Sequence, residues 1–329
     1  ALHSGEGLRL AATHCASCHT LPAPSSLTQE SWKFSLAYMG LFLGFHSEAA
    51  FAGFTDEERD ILTARRDFVT TANLLPERPV ISEPEWRTLQ DYYLQQAPTV
   101  PVPQTEHPAP REMVAAFSVM PTQYQRPRAL TSLVKIDETR RQLMIHDGMA
   151  EELTLLDRTG DIIATHASPG VVLVDTELRG NDVYLLSIGD LFASRIGEGF
   201  GELQRARLVG SQLYGLEVLL KDLHRSTALT LTDLDGDGFE DALISNFGDY
   251  TGNLSLFRGT PNGSGFSTVP DVLSIEPGIV QAKNADFNGD GRTDIAVLAS
   301  HAFENLSIHL QNPDGTFTRE PILSQPPSF

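Results

Sequence analysis

A nine-residue loop occurs twice in this chain, and it limits the fold more than any other feature does. The first copy is Asp233-Leu234-Asp235-Gly236-Asp237-Gly238-Phe239-Glu240-Asp241, followed by the apolar run Ala242-Leu243-Ile244. The second is Asp286-Phe287-Asn288-Gly289-Asp290-Gly291-Arg292-Thr293-Asp294, followed by Ile295-Ala296-Val297-Leu298. Their starts lie 53 residues apart, within the range of a β-propeller repeat. Carboxylates and amides at positions 1, 3 and 5 turn successive oxygens toward one point, and the glycine at 6 permits the tight turn. The residue-7 carbonyl and the position-9 carboxylate can add ligands, and this array of hard oxygen donors suits calcium. No Glu stands at position 12 and no helices flank the loops, so they are not EF-hands. The expected calcium ligands are Asp233, Asp235, Asp237, Phe239 and Asp241 in loop 1, and Asp286, Asn288, Asp290, Arg292 and Asp294 in loop 2. The competing reading is a pair of polar Asp-Gly turns without metal, which leaves the match between two copies unexplained.

Weaker relatives of the same unit stand earlier. Leu133 to Asp137 leads through a short turn to Gln142 to Gly148, and Val171 to Asp175 leads to Asp182 to Ser187. Both keep the strand-turn-strand outline without the acidic spacing, so no metal is assigned to them. Counting them gives about four blades on this spacing. Residues 111–329 therefore read as an all-β region of short strands separated by Gly, Asp and Asn turns.

Residues 98–110 are the boundary before it. Pro98, Pro101, Pro103, Pro108 and Pro110 fall within this stretch, a density that favours an extended, semi-rigid spacer. Residues 1–97 carry a different pattern, that of a small all-α domain. Ser4 is placed to cap a first helix through Leu8, Leu10 and Ala11, and Thr28 a second through Trp32, Leu36, Met39 and Leu43, whose end Gly40 and Gly44 loosen. Thr55 to Glu58 and Ser82 to Glu85 have the form of capping boxes and open two more.

The first of these helices runs into Cys15-Ala16-Ser17-Cys18-His19, which holds the only two cysteines of the chain. A C-x-x-C-H run suits covalent haem attachment: the two thiols add to the haem vinyl groups and the following histidine ligates the iron. A zinc site would need a second ligand pair, and a thioredoxin-like motif should follow a strand in a βαβ pattern; neither is present. Cys15 and Cys18 are thus the expected thioether residues and His19 the proximal ligand. A carbonyl near Pro22 or Pro24 is placed to accept the free ring N–H of His19. For the sixth ligand the candidates are Met39, whose competing role is core filling beside Leu36 and Leu43, and His46, with an open site as the third possibility.

The net charge of −19 argues against nucleic acid and anionic membrane surfaces as partners, and no apolar run reaches membrane-spanning length. Attachment of haem to such a motif normally follows export, which places the chain in the periplasm or outside the cell. No G-x-S-x-G elbow, P-loop or H-E-x-x-H occurs, and His107, His146, His166, His224, His301 and His309 are scattered singly, as turn or surface residues would be.

The loops followed by apolar strands resemble FG-GAP/VCBS repeats, the calcium-bearing blades of integrin-type β-propellers. The whole chain resembles bacterial proteins, common in planctomycetes and their relatives, that join a class I-like cytochrome c domain to such a propeller. The resemblance extends to Leu21-Pro22-Ala23-Pro24, to Trp32 with Met39-Gly40, and to Tyr92-Tyr93 before Ala97-Pro98. It implies Met39 as the distal iron ligand. Propellers of this kind usually close with seven or eight blades, so four blades ending at Pro326 to Phe329 imply a ring completed by further chain, by strands hidden in the weak region or by another molecule. The expected function is an exported monohaem electron carrier with one haem c, about two Ca2+ and a propeller that docks a redox protein or a membrane-associated electron-transfer complex. The alternatives are a haem-coupled dehydrogenase built on the propeller and a calcium-dependent interaction subunit of a larger redox complex.

Overall fold

The computed structural model describes residues 2–17, 21–71, 73–103, 119–189, 191, 201–248, 251–261, 263, 265–300 and 304–325. The chain divides into two compact units: residues 1–111 with 194–196 and 326–329, and residues 112–193 with 197–325.

The first unit contains α1 (Leu2–His14), α2 (Gln29–Phe42), α3 (Asp56–Thr71) and α4 (Glu83–Gln96). Three of the four starts are capped as the sequence predicts. Thr28 Oγ1 accepts from the Ser31 N–H at 3.2 Å, and reciprocal capping boxes join Thr55 to Glu58 and Ser82 to Glu85. α1 is the exception: it begins at Leu2, so Ser4 lies inside its first turn rather than at its cap. One core cluster gathers Leu10 and Ala11 of α1, Trp32 and Leu36 of α2, and Trp86, Leu89 and Tyr93 of α4. α1 lies directly on α4, and Gly7 makes that possible. A Cβ there would overlap Tyr92 Cβ and stand 3.0 Å from the Thr88 carbonyl oxygen. Gly40 also allows a close approach, because it is buried 3.0 Å (from an ideal Cβ) beneath the Trp86 ring. Its role is contact with α4, not the loosening of a helix end. Of the proline spacer, residues 98–103 form no helix or strand, and residues 104–110 lie outside the described residues.

The second unit is four antiparallel four-stranded meanders. Sheet 1 is β1 (Thr131–Asp137), β2 (Gln142–Asp147), β3 (Glu152–Leu156) and β4 (Ile162–Ala167); sheet 2 is β5 (Leu173–Arg179), β6 (Asp182–Ser187), β7 (Gly201–Val209) and β8 (Gln212–Leu223). Sheet 3 is β9 (Ser226–Thr232), β10 (Asp241–Asn246), β11 (Asn253–Phe257) and β12 (Asp271–Ser274); sheet 4 is β13 (Ile279–Ala285), β14 (Asp294–Ser300), β15 (Glu304–Gln311) and β16 (Phe317–Gln325). The four sheets are the four blades that the spacing predicts, and each weak relative supplies the first two strands of its sheet.

Strand alternation explains the stacking. In β10, Ala242 and Ile244 join the cluster shared with Leu186, Leu203, Leu220 and Leu223 of sheet 2. Leu243, between them, points the other way and packs with Ile279, Ile295 and Val297 of sheet 4. A strand buried on both faces must read as an unbroken apolar run, as β10 does; the run after the second loop, in β14, buries Ile295, Val297 and Ala299 on one face and leaves Leu298 exposed on the other. A third cluster, with Met144 and Leu155 facing Val183 and Leu185, joins sheets 1 and 2.

The first strands β1, β5, β9 and β13 touch in that order, and no comparable contact joins β13 to β1 among the described residues. These strands have no ladder partner toward one another, so side chains supply the bonds. Ser132 donates to the Leu173 carbonyl (2.7 Å), the Leu229 N–H to Asp175 Oδ2 (2.9 Å), and Thr230 to the Ala282 carbonyl (3.0 Å). Two histidines depart from expectation. His146 in β2 and His309 in β15 are buried strand residues, not surface ones, because cross-strand packing placed them where the sequence showed only isolated polar residues.

Candidate metal centres

Each acidic loop is wound by its own first aspartate. Asp233 Oδ1 accepts from the N–H groups of Gly236 (2.8 Å) and Asp237 (3.1 Å), and its Oδ2 from Gly238 (2.9 Å). Asp286 repeats the pattern with Gly289 (2.7 Å), Asp290 (3.1 Å) and Gly291 (2.9 Å). These bonds, that from Gly291 first, hold the Asp286 carboxyl below its ordinary range. The curl needs left-handed backbone at positions 4 and 6, supplied by Gly236 (φ +76°) and Gly238 (φ +90°) in loop 1 and by Gly289 (φ +78°) and Gly291 (φ +86°) in loop 2.

In loop 1 the winding brings one carboxylate oxygen each from Asp233, Asp235 and Asp237 within 4.8 Å of one another. In loop 2 the same place is taken by Asp286, Asn288 and Asp290. Position 9, expected as a further ligand, ties each loop to its sheet. Asp241 and Asp294 are buried, and each accepts at one oxygen from the position-2 N–H and at the other from the end of the third strand or just beyond it. The Asp241 bonds run to Leu234 (3.1 Å) and Gly259 (2.8 Å), and the Asp294 bonds to Phe287 (2.9 Å) and Gln311 (2.9 Å). Burial pushes the Asp241 carboxyl above its ordinary value, against the effect of those two N–H bonds. Asp241 thus fastens its loop to the sheet and stands apart from the three-oxygen group.

Sequence reasoning passed over Arg258 and Gln311 beside the loops, and took Arg292 only as a carbonyl ligand without its side chain. Arg258, just beyond β11, binds Asp235 Oδ2 (2.9 Å) and Asp271 Oδ2 (2.9 Å). Arg292 binds Asp290 Oδ2 through its guanidinium while its Nε donates to the Gln311 carbonyl (2.7 Å). Gln311 Nε2 in turn donates to the Leu234 carbonyl (2.7 Å), tying the end of β15 to loop 1. Between the loops lies a cleft of about 620 Å3, lined by Asp233, Asp235, Arg258, Arg292, Gln311 and Asp314 among others. Arg258 and Gln311 carry no local motif, and only the sheet pairing brings them there.

Residues 233–297 match the FG-GAP-like repeat family. Both loops and the strands β10 to β13 fall inside that match. Solved structures similar to parts of the chain include the following two. One is hydrazine synthase of Kuenenia stuttgartiensis, with 12% identity and a TM-score of 0.43 over 63% of this chain and 53% of that one. The other is the dihydro-heme d1 dehydrogenase NirN in complex with DHE, with 13% identity and a TM-score of 0.39 over 59% of this chain and 38% of that one. The chain thus spans about half of the first protein and less of the second. Among curated proteins none matches the chain.

In the helical unit, α1 delivers Cys15 half-buried against the core formed with Leu10 and Ala11, its N–H bonded to the Ala11 carbonyl at 2.8 Å. Cys18 and His19 lie outside the described residues. The segment after them is fixed by two aromatic donors: Trp32 Nε1 to the Pro24 carbonyl (2.8 Å) and Tyr93 Oη to the Pro22 carbonyl (3.2 Å). Burial, followed by charge at nearby Cys15, pushes the Tyr93 phenol above its ordinary value. Met39 sits half-buried on α2 and does not belong to the core cluster that takes Trp32 and Leu36. His46 is exposed beyond Phe45, whose ring stacks on Trp86 at 5.4 Å. No helix among the described residues is long and apolar enough to cross a membrane.

Proposed function

We propose that the chain is an exported monohaem c-type cytochrome that carries electrons, with a calcium-binding propeller as its docking scaffold. The observation that carries this reading is the C-x-x-C-H run at the end of a helix locked onto α4. The Gly7 approach to Tyr92 sets α1, and α1 sets Cys15 at the edge of the aromatic core. Cys15 and Cys18 would hold the haem as thioethers and His19 would ligate its iron. Met39 would complete the coordination, since the core cluster leaves it unused. Bound there, the haem supplies one-electron chemistry. The chain's own part is to exclude water with Trp32, Trp86 and Tyr93, and to hold the segment after the motif through the Pro22 and Pro24 carbonyls.

The donor set of loop 1 fits a hard divalent cation, because three carboxylate oxygens converge in a loop otherwise closed by its own N–H groups. Calcium there would relieve the repulsion among Asp233, Asp235 and Asp237 and stiffen the end of sheet 3. The acidic surface favours a basic redox protein as partner, met after export.

Two measurements test the reading. The purified protein should be reduced by a redox protein at a rate that falls as salt rises, and not by sugars or alcohols; substrate-driven haem reduction would point to a dehydrogenase instead. The weak far-red charge-transfer band of methionine-ligated ferric haem should disappear in Met39→Ala, and its persistence would remove Met39 from the iron.

A further inference from the structure

The two acidic loops share one backbone, yet their carboxylates are not equally available. Loop 1 has Asp at positions 1, 3 and 5, whereas loop 2 has Asn288 at position 3 and so one charge fewer. Position 5 differs more. Asp237 accepts the Phe239 N–H at Oδ1 (2.8 Å), and no described group donates to its Oδ2. Its counterpart Asp290 accepts the Arg292 N–H at Oδ1 (2.9 Å), and its Oδ2 takes two further donors, the Asn288 amide (2.8 Å) and the Arg292 guanidinium. Arg292 is held in that position by its Nε bond to the Gln311 carbonyl (2.7 Å). Loop 1 also meets a guanidinium, but Arg258 divides its charge among Asp235 (2.9 Å), Asp271 (2.9 Å) and Asp241 (3.7 Å).

Oxygen cages of this type gain affinity with the number of charged ligands. We infer that the loops form a graded pair: loop 1 takes a divalent cation first and more tightly, whereas loop 2 carries its own cation, Arg292, which the ion must displace from Asp290. The inference rests on the calcium reading proposed above and adds to it an order of filling. Loop 1 is the site that stays loaded when calcium is scarce, and loop 2 fills only when it is abundant.

Calorimetric titration of the full chain with calcium tests this. The wild type should show two steps whose dissociation constants differ by about tenfold or more. Asp237→Asn should weaken the tighter step alone. Arg292→Gln should tighten the weaker step by about threefold or more, and Asn288→Asp, which restores the missing charge, should move it the same way. Two equal steps in the wild type, or a weaker step that neither loop 2 variant moves, would overturn the grading while leaving calcium binding intact. Absence of any saturable binding would remove the calcium reading and the grading with it.

Discussion

The helical unit and the β unit hold together by different means. The helical unit has one core cluster centred on α4, which Gly7 of α1 approaches at Tyr92 and Gly40 of α2 approaches at Trp86. The β unit repeats one solution three times, an apolar layer between successive sheets, and adds side-chain bonds between neighbouring first strands. A single core should fail as a whole when one of its close approaches is blocked, whereas a repeated core should lose stability one layer at a time.

Gly7→Val should give the largest effect. The added side chain has to displace Tyr92 and the Thr88 carbonyl, and the cost is about 3 kcal/mol. In thermal unfolding followed by calorimetry, the helical unit's transition should drop or vanish while that of the β unit stays. If both fell together, the contrast between the units would be lost. Next comes Asp294→Ala, which strips the Phe287 and Gln311 N–H groups of their shared acceptor in a buried place. A loss of about 2 kcal/mol confined to the β unit is expected, and an unchanged melt would mean that water replaces the carboxylate. Removal of calcium by a chelator should lower the same transition and leave the helical unit unmoved; no change would count against structural metal in both loops.

The smallest expected effect is a dependence on pH in the β unit. His146 is buried between Ser132 Oγ (2.9 Å) and Ser168 Oγ (2.8 Å), and Ser132 passes the link to Leu173 of the next sheet. Burial holds its imidazole below the ordinary value of 6.5, and burial does the same to His309. The unfolded chain therefore binds these protons more readily than the folded one. Their contribution to stability is complete above about pH 6.5 and is lost as pH falls from there through the depressed folded values. The melting temperature of the β unit should decline between about pH 7 and pH 5, less steeply in His146→Gln. An equal slope in that variant would assign the decline to other groups.

Much of the β unit was legible because its repeat carries a local signal. The acidic loops and the apolar runs after them fixed β10 and β14, and the weak relatives marked the first two strands of sheets 1 and 2. The outer strands were not legible. β8, for instance, runs from Gln212 to Leu223 with most of its side chains exposed, so burial imposes no pattern on it. Sheet pairing also decided what no window of sequence could show, namely that Arg258 and Gln311 reach the loops and that Asp241 and Asp294 fasten them. In the helical unit the caps at Thr28, Thr55 and Ser82 were legible because each is settled within four residues. The close approaches of Gly7 and Gly40 were not, since a glycine in a helix looks like a weakness until its neighbour is known.

The crossing of α1 on α4 gives Cys15 and its motif a fixed helix to end, and the electron-carrier reading depends on what the motif holds. The most direct measurement is haem staining of the 36.0 kDa chain on a denaturing gel, after export in a host that attaches c-type haem. Haem should stay with the unfolded wild type and be absent from Cys15→Ala/Cys18→Ala. A wild-type chain that reaches the same compartment intact and retains no haem would contradict the reading.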